Sequence, residues 1–100
     1  MVFVINRTNS DYSKKTNIIN LPFFIENDDS KYFNFATIIH LGRNSSYGHY
    51  ITVFCYNRNY YVYDDSAGLK IIDNVIDDNI YKNYMRHNSV MVFYYKLSSW

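Results

Sequence analysis

The chain has 100 residues, of which 48% are hydrophobic and 20% aromatic. This composition is typical of a packed chain rather than a disordered one, and the length fits one small domain or part of a larger one. The formal net charge is +1, with basic residues scattered along the sequence. No surface for binding a phosphate backbone stands out, so nucleic acid is not an expected partner.

The N-terminus and the cysteine content indicate a cellular compartment. The apolar run Val2 to Ile5 before Asn6 is too short for a signal-peptide core, and no run approaches the ~20 apolar residues of a membrane span. We therefore expect no membrane partner and a location in the cytoplasm or nucleus. The single cysteine, Cys55, excludes an internal disulfide and a paired-cysteine zinc site, which agrees with a reducing compartment. No cofactor and no metal are predicted.

Short apolar and aromatic runs, separated by Asn, Ser, Asp and Gly, predict strands joined by turns. In chain order the predicted strands cover residues 2–7, 33–40, 50–56, 60–64 and 90–96. Polar composition predicts loops at residues 8–17, 26–31 and 42–47. The last strand is apolar at both alternating sets of positions, which indicates a place inside the sheet with both faces covered.

One helix is predicted over residues 74–86, because Ile76, Ile80 and Tyr84 recur every four residues. Asp73 can cap its N-terminus, and basic residues in its later turns complement the helix dipole. The predicted fold class is α+β, with a mainly antiparallel β-sheet and one short helix near the C-terminus.

The segment 48–66 predicts a β-hairpin that brings a histidine and a carboxylate together. With a two-residue turn at residues 57–58, His49 and Asp64 share one face and lie one diagonal apart, about 7 to 8 Å between backbones. A carboxylate at that spacing can reach an imidazole nitrogen, while Asp65 points to the opposite face. A three-residue turn would exchange the roles of Asp64 and Asp65.

A histidine held by an aspartate is suited to general acid–base catalysis, because the carboxylate fixes the tautomer and stabilises the imidazolium. Gly48 would let a substrate backbone approach closely. The alternative interpretation is a surface histidine beside an acidic turn. The other two histidines are predicted to be structural: His40 as a hydrogen-bonding residue at a strand end, and His87 beside the C-terminal end of the helix dipole.

Specific motifs surround the hairpin. From residue 38 the sequence reads Ile-Ile-His-Leu-Gly, a variable loop, and Gly-His-Tyr followed by a strand. Residues 60–65 read Tyr-Tyr-Val-Tyr-Asp-Asp, and residues 89–95 are a serine followed by an apolar, aromatic run. This order resembles the carboxyl-terminal part of the ubiquitin-specific protease domain, the peptidase C19 family of thiol-dependent deubiquitinases. The resemblance is strong over residues 36–96 and looser before them.

The resemblance implies roles for individual residues. It makes His49 the general base, Asp64 the residue that orients it, and Asp65 a supporting acid. It also implies a channel for the C-terminal tail of ubiquitin or a ubiquitin-like protein, bordered by loops 8–17 and 43–47 and contacted by Gly48, Tyr50 and Arg43. The fold would be the palm portion of a papain-like cysteine protease.

The family's cysteine box, which carries the nucleophile on an amino-terminal lobe, has no counterpart in residues 1–100. Cys55 does not replace it, because six residues along one strand separate it from His49 by about 20 Å, whereas a thiol and its base need about 3 to 3.5 Å. Three interpretations stay open. The chain is the carboxyl-terminal piece of a ubiquitin-specific protease, from a partial or a split gene; or an inactive ubiquitin-binding module or decoy; or a degenerate relic with a fold and no site. We favour the first as a family assignment and expect the isolated chain to be inactive.

Overall fold

The computed structural model describes residues 1–9, 11, 13–19, 22–42, 48–57, 59–72 and 75–97, the last range without side chains for residues 75–81. Within these residues the chain forms seven strands and one helix. In chain order they are β1 (Val2–Val4), β2 (Phe24–Asn27), β3 (Ser30–Leu41), β4 (His49–Tyr56), β5 (Asn59–Asp64), β6 (Gly68–Ile72), α1 (Val75–Asn88) and β7 (Ser89–Lys96).

The strands form a single antiparallel sheet in the order β1-β7-β3-β4-β5-β6, with β2 paired to β3. The core lies on one side of its middle strands, where four aliphatic side chains are at most 5% exposed: Ile39, Ile51, Val53 and Val62. Tyr84 and Met85 of α1 pack against this cluster. We call the helix-covered side the inner face and the opposite side the outer face. The predicted α+β class is confirmed.

The predicted strands and helix are largely confirmed, with shifted ends. β3, β4, β5 and β7 each contain the predicted segment. β4, β5 and β7 begin one residue earlier and β3 three residues earlier, whereas β1 ends at Val4 instead of residue 7. The helix extends to Asn88, two residues past the predicted end. The capping residue Asp73 and the side chains of Ile76 and Ile80 lie outside the described part of the chain.

Two strands were not predicted. The expected loop 26–31 is wrong, because Glu26 pairs with Lys31 in a β2–β3 hairpin. Asp28 closes its turn at a φ of 54°, a left-handed conformation that Asp tolerates better than most residues. The short strand β6 pairs with β5 at the edge of the sheet.

β7 lies inside the sheet as predicted, but Tyr95 on its outer face is 47% exposed, so the expectation that both faces are covered is wrong there.

Arg7 lies three residues after β1, and its side chain turns into the protein, where it is only 4% exposed. Its Nε donates to Ser89 O at 2.9 Å, and its Nη1 donates to Asn17 O at 2.5 Å. Its Nη2 makes longer contacts of 3.4 Å with Arg86 O and 3.3 Å with Ser89 Oγ. Burial lowers the pKa of this guanidinium. One side chain thus joins the N-terminal segment to the end of α1 and the start of β7.

The predicted loop 8–17 is irregular apart from one bridge between Thr8 and Lys14, and it is folded back onto the sheet. Lys14 Nζ donates to His40 O at the end of β3 and to Asn88 Oδ1 at the end of α1. Burial, together with repulsion from Arg7, lowers the pKa of Lys14. Arg7 and Lys14 therefore hold the N-terminal segment in place by donating hydrogen bonds to backbone and side-chain oxygens.

Candidate functional site

The β4–β5 hairpin has the register that the two-residue turn predicts. Tyr56 pairs with Asn59, and Ile51 pairs with Asp64. Asn57 takes a left-handed φ of 52°, which asparagine adopts more readily than most residues other than glycine. This explains how the hairpin turns without a glycine, although Arg58 lies outside the described residues. The alternative register, with a three-residue turn, is excluded.

This register places His49, the first residue of β4, beside Asp64, the last residue of β5. His49 Nε2 lies 3.1 Å from Asp64 Oδ2, so the predicted hydrogen-bond reach is confirmed. The two side chains are 46% and 23% exposed. They share the inner face, since Asp64 pairs with Ile51 of the core and His49 precedes Ile51 by two residues on the same strand. The pair therefore stands at the solvent edge of the hydrophobic core.

The second oxygen of Asp64 is also engaged. Asp64 Oδ1 accepts the Ser66 amide N–H at 2.9 Å, and Ala67 N–H donates to the Asp64 carbonyl at 3.1 Å in the following turn. The Ser66 hydrogen bond, and after it the interaction with His49, hold the pKa of the Asp64 carboxyl below its ordinary value despite partial desolvation. The carboxylate is therefore ionised at neutral pH, and the turn that follows β5 fixes its orientation independently of His49.

The pairing assigns a chemical role to each imidazole nitrogen. An ionised carboxylate can only accept, so Nε2 must donate the proton to Asp64. The neutral ring then has its basic lone pair on Nδ1, which has no hydrogen-bond partner among the described residues. A proton taken up at Nδ1 would create an imidazolium that the Asp64 carboxylate stabilises. The arrangement can therefore serve as an oriented general base.

The other predicted catalytic acid, Asp65, is exposed in the turn after β5, with no described contact to His49. Gly48 has a φ of 127°, and a Cβ there would overlap Leu41 O and lie 2.9 Å from His40 Nε2. The backbone therefore requires glycine at position 48, whatever approaches it. Its role in substrate approach stays a prediction.

Two residues predicted to bind the ubiquitin tail are not near the pair. Tyr50 is 56% exposed, and alternation along β4 directs it to the outer face, where its ring lies 5.0 Å from that of His40. The sheet therefore separates Tyr50 from the face of His49. Arg43 lies in the segment 43–47, outside the described residues. Contacts of Tyr50 and Arg43 with a ubiquitin tail stay predictions.

Cys55 is half-buried at the far end of β4, opposite Tyr60. Six residues along the strand separate it from His49, which corresponds to about 20 Å at about 3.3 Å per residue. The expectation that Cys55 cannot serve as the nucleophile for His49 agrees with this position. In the described part of the chain no thiol lies beside Nδ1.

The positions of the remaining histidines agree with the predicted structural roles. His40 is 3% exposed and packs on Tyr50. His87 lies in the last turn of α1, as the dipole interpretation predicts, and its Nδ1–H donates to Thr16 O at 2.9 Å. Among the described side chains, no cluster of three or more His, Cys, Asp or Glu could hold a metal ion. No helix of the described chain is long and apolar enough to cross a membrane.

Sequence reasoning missed two cations, the buried Arg7 and the half-buried Lys14, which hold the N-terminal segment in place. The only available signal was an arginine two residues after the apolar run 2–5. The comparison with known proteins adds no relative: no protein-family model matches the chain, and no curated protein matches it. Membership of the ubiquitin-specific protease family therefore stays a prediction that depends on the motifs around His49 and Asp64.

Proposed function

We propose that the chain is the histidine-bearing part of a ubiquitin-specific protease, with the nucleophilic thiol supplied by a separate segment or polypeptide. The observation that supports this most directly is the 3.1 Å contact between His49 Nε2 and Asp64 Oδ2. It occurs at the Gly-His-Tyr and Tyr-Asp-Asp motifs that carry the resemblance. In this proposal the sheet is the palm portion of a papain-like protease.

The proposed chemistry uses Nδ1 of His49. A thiol that approaches the inner face would lose its proton to Nδ1, and the thiolate would attack the carbonyl carbon of ubiquitin's C-terminal amide. The imidazolium, stabilised by Asp64, would then protonate the departing lysine amine as the thioester forms. Water, deprotonated by the same nitrogen, would hydrolyse the thioester and release the ubiquitin carboxylate and the thiol.

The proposed partners follow from this chemistry. They are ubiquitin or a ubiquitin-like protein and a polypeptide that carries the cysteine box, in the cytoplasm or nucleus. A cysteine-bearing lobe would have to cover the inner face near His49, because the basic lone pair of the imidazole is on that side. The chain alone should not cleave ubiquitin conjugates.

The second candidate is an inactive ubiquitin-binding module or decoy. The observation in its favour is the position of Cys55, at the opposite end of β4 from His49. In this alternative the segments that border the tail channel would bind ubiquitin, and the oriented histidine would have no substrate bond to act on.

Binding can be tested with two matched tyrosines of β4. Tyr50 is predicted to contact the ubiquitin tail, whereas Tyr56, on the same strand and face, lies at the far end; they are 56% and 69% exposed. We expect labelled ubiquitin to show chemical-shift changes at its C-terminal tail. The Kd should be no tighter than about 10 to 100 μM, because loss of the opposite lobe removes about half of the contacts and hot spots rather than area determine affinity. Tyr50→Ala should weaken the shift changes, and Tyr56→Ala should not. The absence of changes at millimolar wild-type protein would refute both candidates.

Activity separates the two candidates. The isolated chain should form no adduct with a ubiquitin probe that carries a thiol-reactive C-terminus, and an adduct at Cys55 would contradict the assigned geometry. The second experiment uses a separately produced cysteine-box lobe of a ubiquitin-specific protease. We expect this lobe to hydrolyse a ubiquitin conjugate faster when the wild-type chain is added, but not when the His49→Ala variant is added. Ubiquitin binding without any gain in hydrolysis would favour the decoy. Gly48→Val is unsuitable for either test, because a side chain there collides with Leu41 and His40.

A further inference from the structure

The outer face of the sheet carries two unbroken rows of side chains, each of which runs across six strands from β1 to β6. Cross-strand partners lie on the same face, so the rows follow directly from the register. The first row consists of Val2, Phe93, Ala36, Phe54, Tyr61 and Ile71. The second consists of Val4, Met91, Ile38, Thr52, Tyr63 and Leu69.

The chemistry of these rows is nearly uniform. All members are apolar or aromatic except Thr52, and neither row contains a charged residue. Several members are well exposed: Val4 is 74%, Leu69 60% and Tyr63 49% accessible. No described element packs over them, because α1 lies on the inner face. The sheet thus has one helix-covered face and one apolar face that is open to solvent.

The size of this face is that of a protein interface. A large side chain presents on the order of 150 to 250 Å² when fully exposed, so the two rows with the neighbouring Tyr56 and Tyr95 present roughly 700 to 1,000 Å². The largest apolar patch on an ordinary monomer is about 300 to 600 Å². A stable complex buries about 800 Å² on each partner. The outer face therefore exceeds what a monomer usually exposes and matches what one side of a dimer buries.

We propose that the outer face is the interface of a homodimer, in which two copies pack face to face as a two-layer β-sandwich. The absence of charge from both rows favours a second copy, because a two-fold axis brings each surface against itself and would oppose like charges. Homodimer interfaces are also the more apolar class of interface. Packed sheets lie about 10 Å apart, with apolar side chains interdigitated between them.

This inference does not depend on the proposed function. His49 and Asp64 lie on the inner face, so a dimer through the outer face leaves their edge open. A cysteine-bearing lobe would likewise approach the inner face and would not cover the two rows. Tyr50, the predicted contact for the ubiquitin tail, also lies on the outer face, but it belongs to neither row. The two rows therefore need a partner surface of their own, whether or not the chain takes part in ubiquitin cleavage.

Sedimentation equilibrium over micromolar to millimolar concentration tests the proposal on the full chain. We expect wild-type protein to reach twice the 12.0 kDa chain mass. Tyr63→Asp and Leu69→Asp each place a carboxylate in the apolar layer of both copies, which should weaken the dimer by about 100-fold. Ile18→Asp is the matched control, since Ile18 is 57% exposed and lies in the segment that contacts α1. It should weaken the dimer by less than about threefold.

Circular dichroism of each variant separates dissociation from unfolding. If Tyr63→Asp unfolds the chain, Leu69→Asp on the edge strand decides the outcome. A wild-type mass of a single chain at every concentration would overturn the proposal. Equal weakening by Ile18→Asp, or a wild-type mass that grows beyond two chains, would overturn it as well.

Discussion

Replacement of Arg7 by methionine should remove a large share of the stability of this chain. Arg7 is 4% exposed, and its two short hydrogen bonds go to Ser89 O at 2.9 Å and Asn17 O at 2.5 Å. A hydrogen bond from a charged donor contributes about 1.5 to 3 kcal/mol, and release of the desolvated cation offsets part of the loss. We expect the free energy of unfolding to fall by about 2 to 4 kcal/mol, out of roughly 5 to 15 kcal/mol for a domain of this size.

Urea unfolding followed by circular dichroism measures this loss. With a slope of about 1.5 kcal/mol per molar urea, a loss of 3 kcal/mol lowers the midpoint by about 2 M. Lys96→Met is the charge-matched control, because Lys96 is an exposed cation at the end of β7. The control should change stability by no more than about 0.5 kcal/mol. Equal midpoints for the two variants would show that the buried guanidinium does not hold the N-terminal segment.

Three further predictions concern the site and the core. In Asp64→Ala the population of the Nε2–H tautomer of the neutral His49 ring, measured in long-range nitrogen spectra, should fall toward that of free histidine, and an unchanged population would contradict its orientation by Asp64. On acidification the chemical shift of the Ser66 amide should titrate with a midpoint below the ordinary Asp pKa of 3.8. The Asp64 carboxylate accepts this hydrogen bond while it is ionised, so the bond persists above the lowered pKa and is lost as the pH falls through it. A midpoint above 3.8 would contradict the lowered pKa. Ile39 is 0% exposed, and Ile39→Ala should lower the free energy of unfolding in urea by about 2 to 5 kcal/mol. Ile18→Ala, the exposed control, should lower it by less than about 0.5 kcal/mol. Similar losses for the two variants would show that the core is misplaced.

Those parts of the fold that local patterns determine could be predicted. Alternating apolar residues indicated β4 and β5, and the two-residue turn between them set a register that brought Asp64 to His49. This worked because a hairpin register depends only on turn length and side-chain period. The β2–β3 hairpin was missed because its tip is polar, and composition alone does not separate a polar turn from a longer loop.

Features that depend on contacts between distant segments could not be predicted. Arg7 and Lys14 are held by oxygens of α1, β3 and β7, which lie far away in sequence. Likewise, an apolar strand residue can face a core or solvent, so the sequence suggested that β7 was covered on both faces. The structure instead leaves Tyr95 exposed on the outer face.

The pairing of β1 with β7 joins the two ends of the chain, with Val2 opposite Phe93 and the N-terminal amine donating to Tyr94 O at 3.1 Å. During synthesis, β1 would leave the ribosome long before β7 is made, and it has no other partner strand in the described sheet. At a synthesis rate of about 5 to 20 residues per second, the backbone of β1 would stay unpaired for several seconds. Pairing of β1 with β7 then closes a loop of nearly the whole chain, and such non-local contacts slow folding. Both the exposed apolar side chains of β1 and its unpaired edge would be open to chaperones, or to aggregation, throughout that interval.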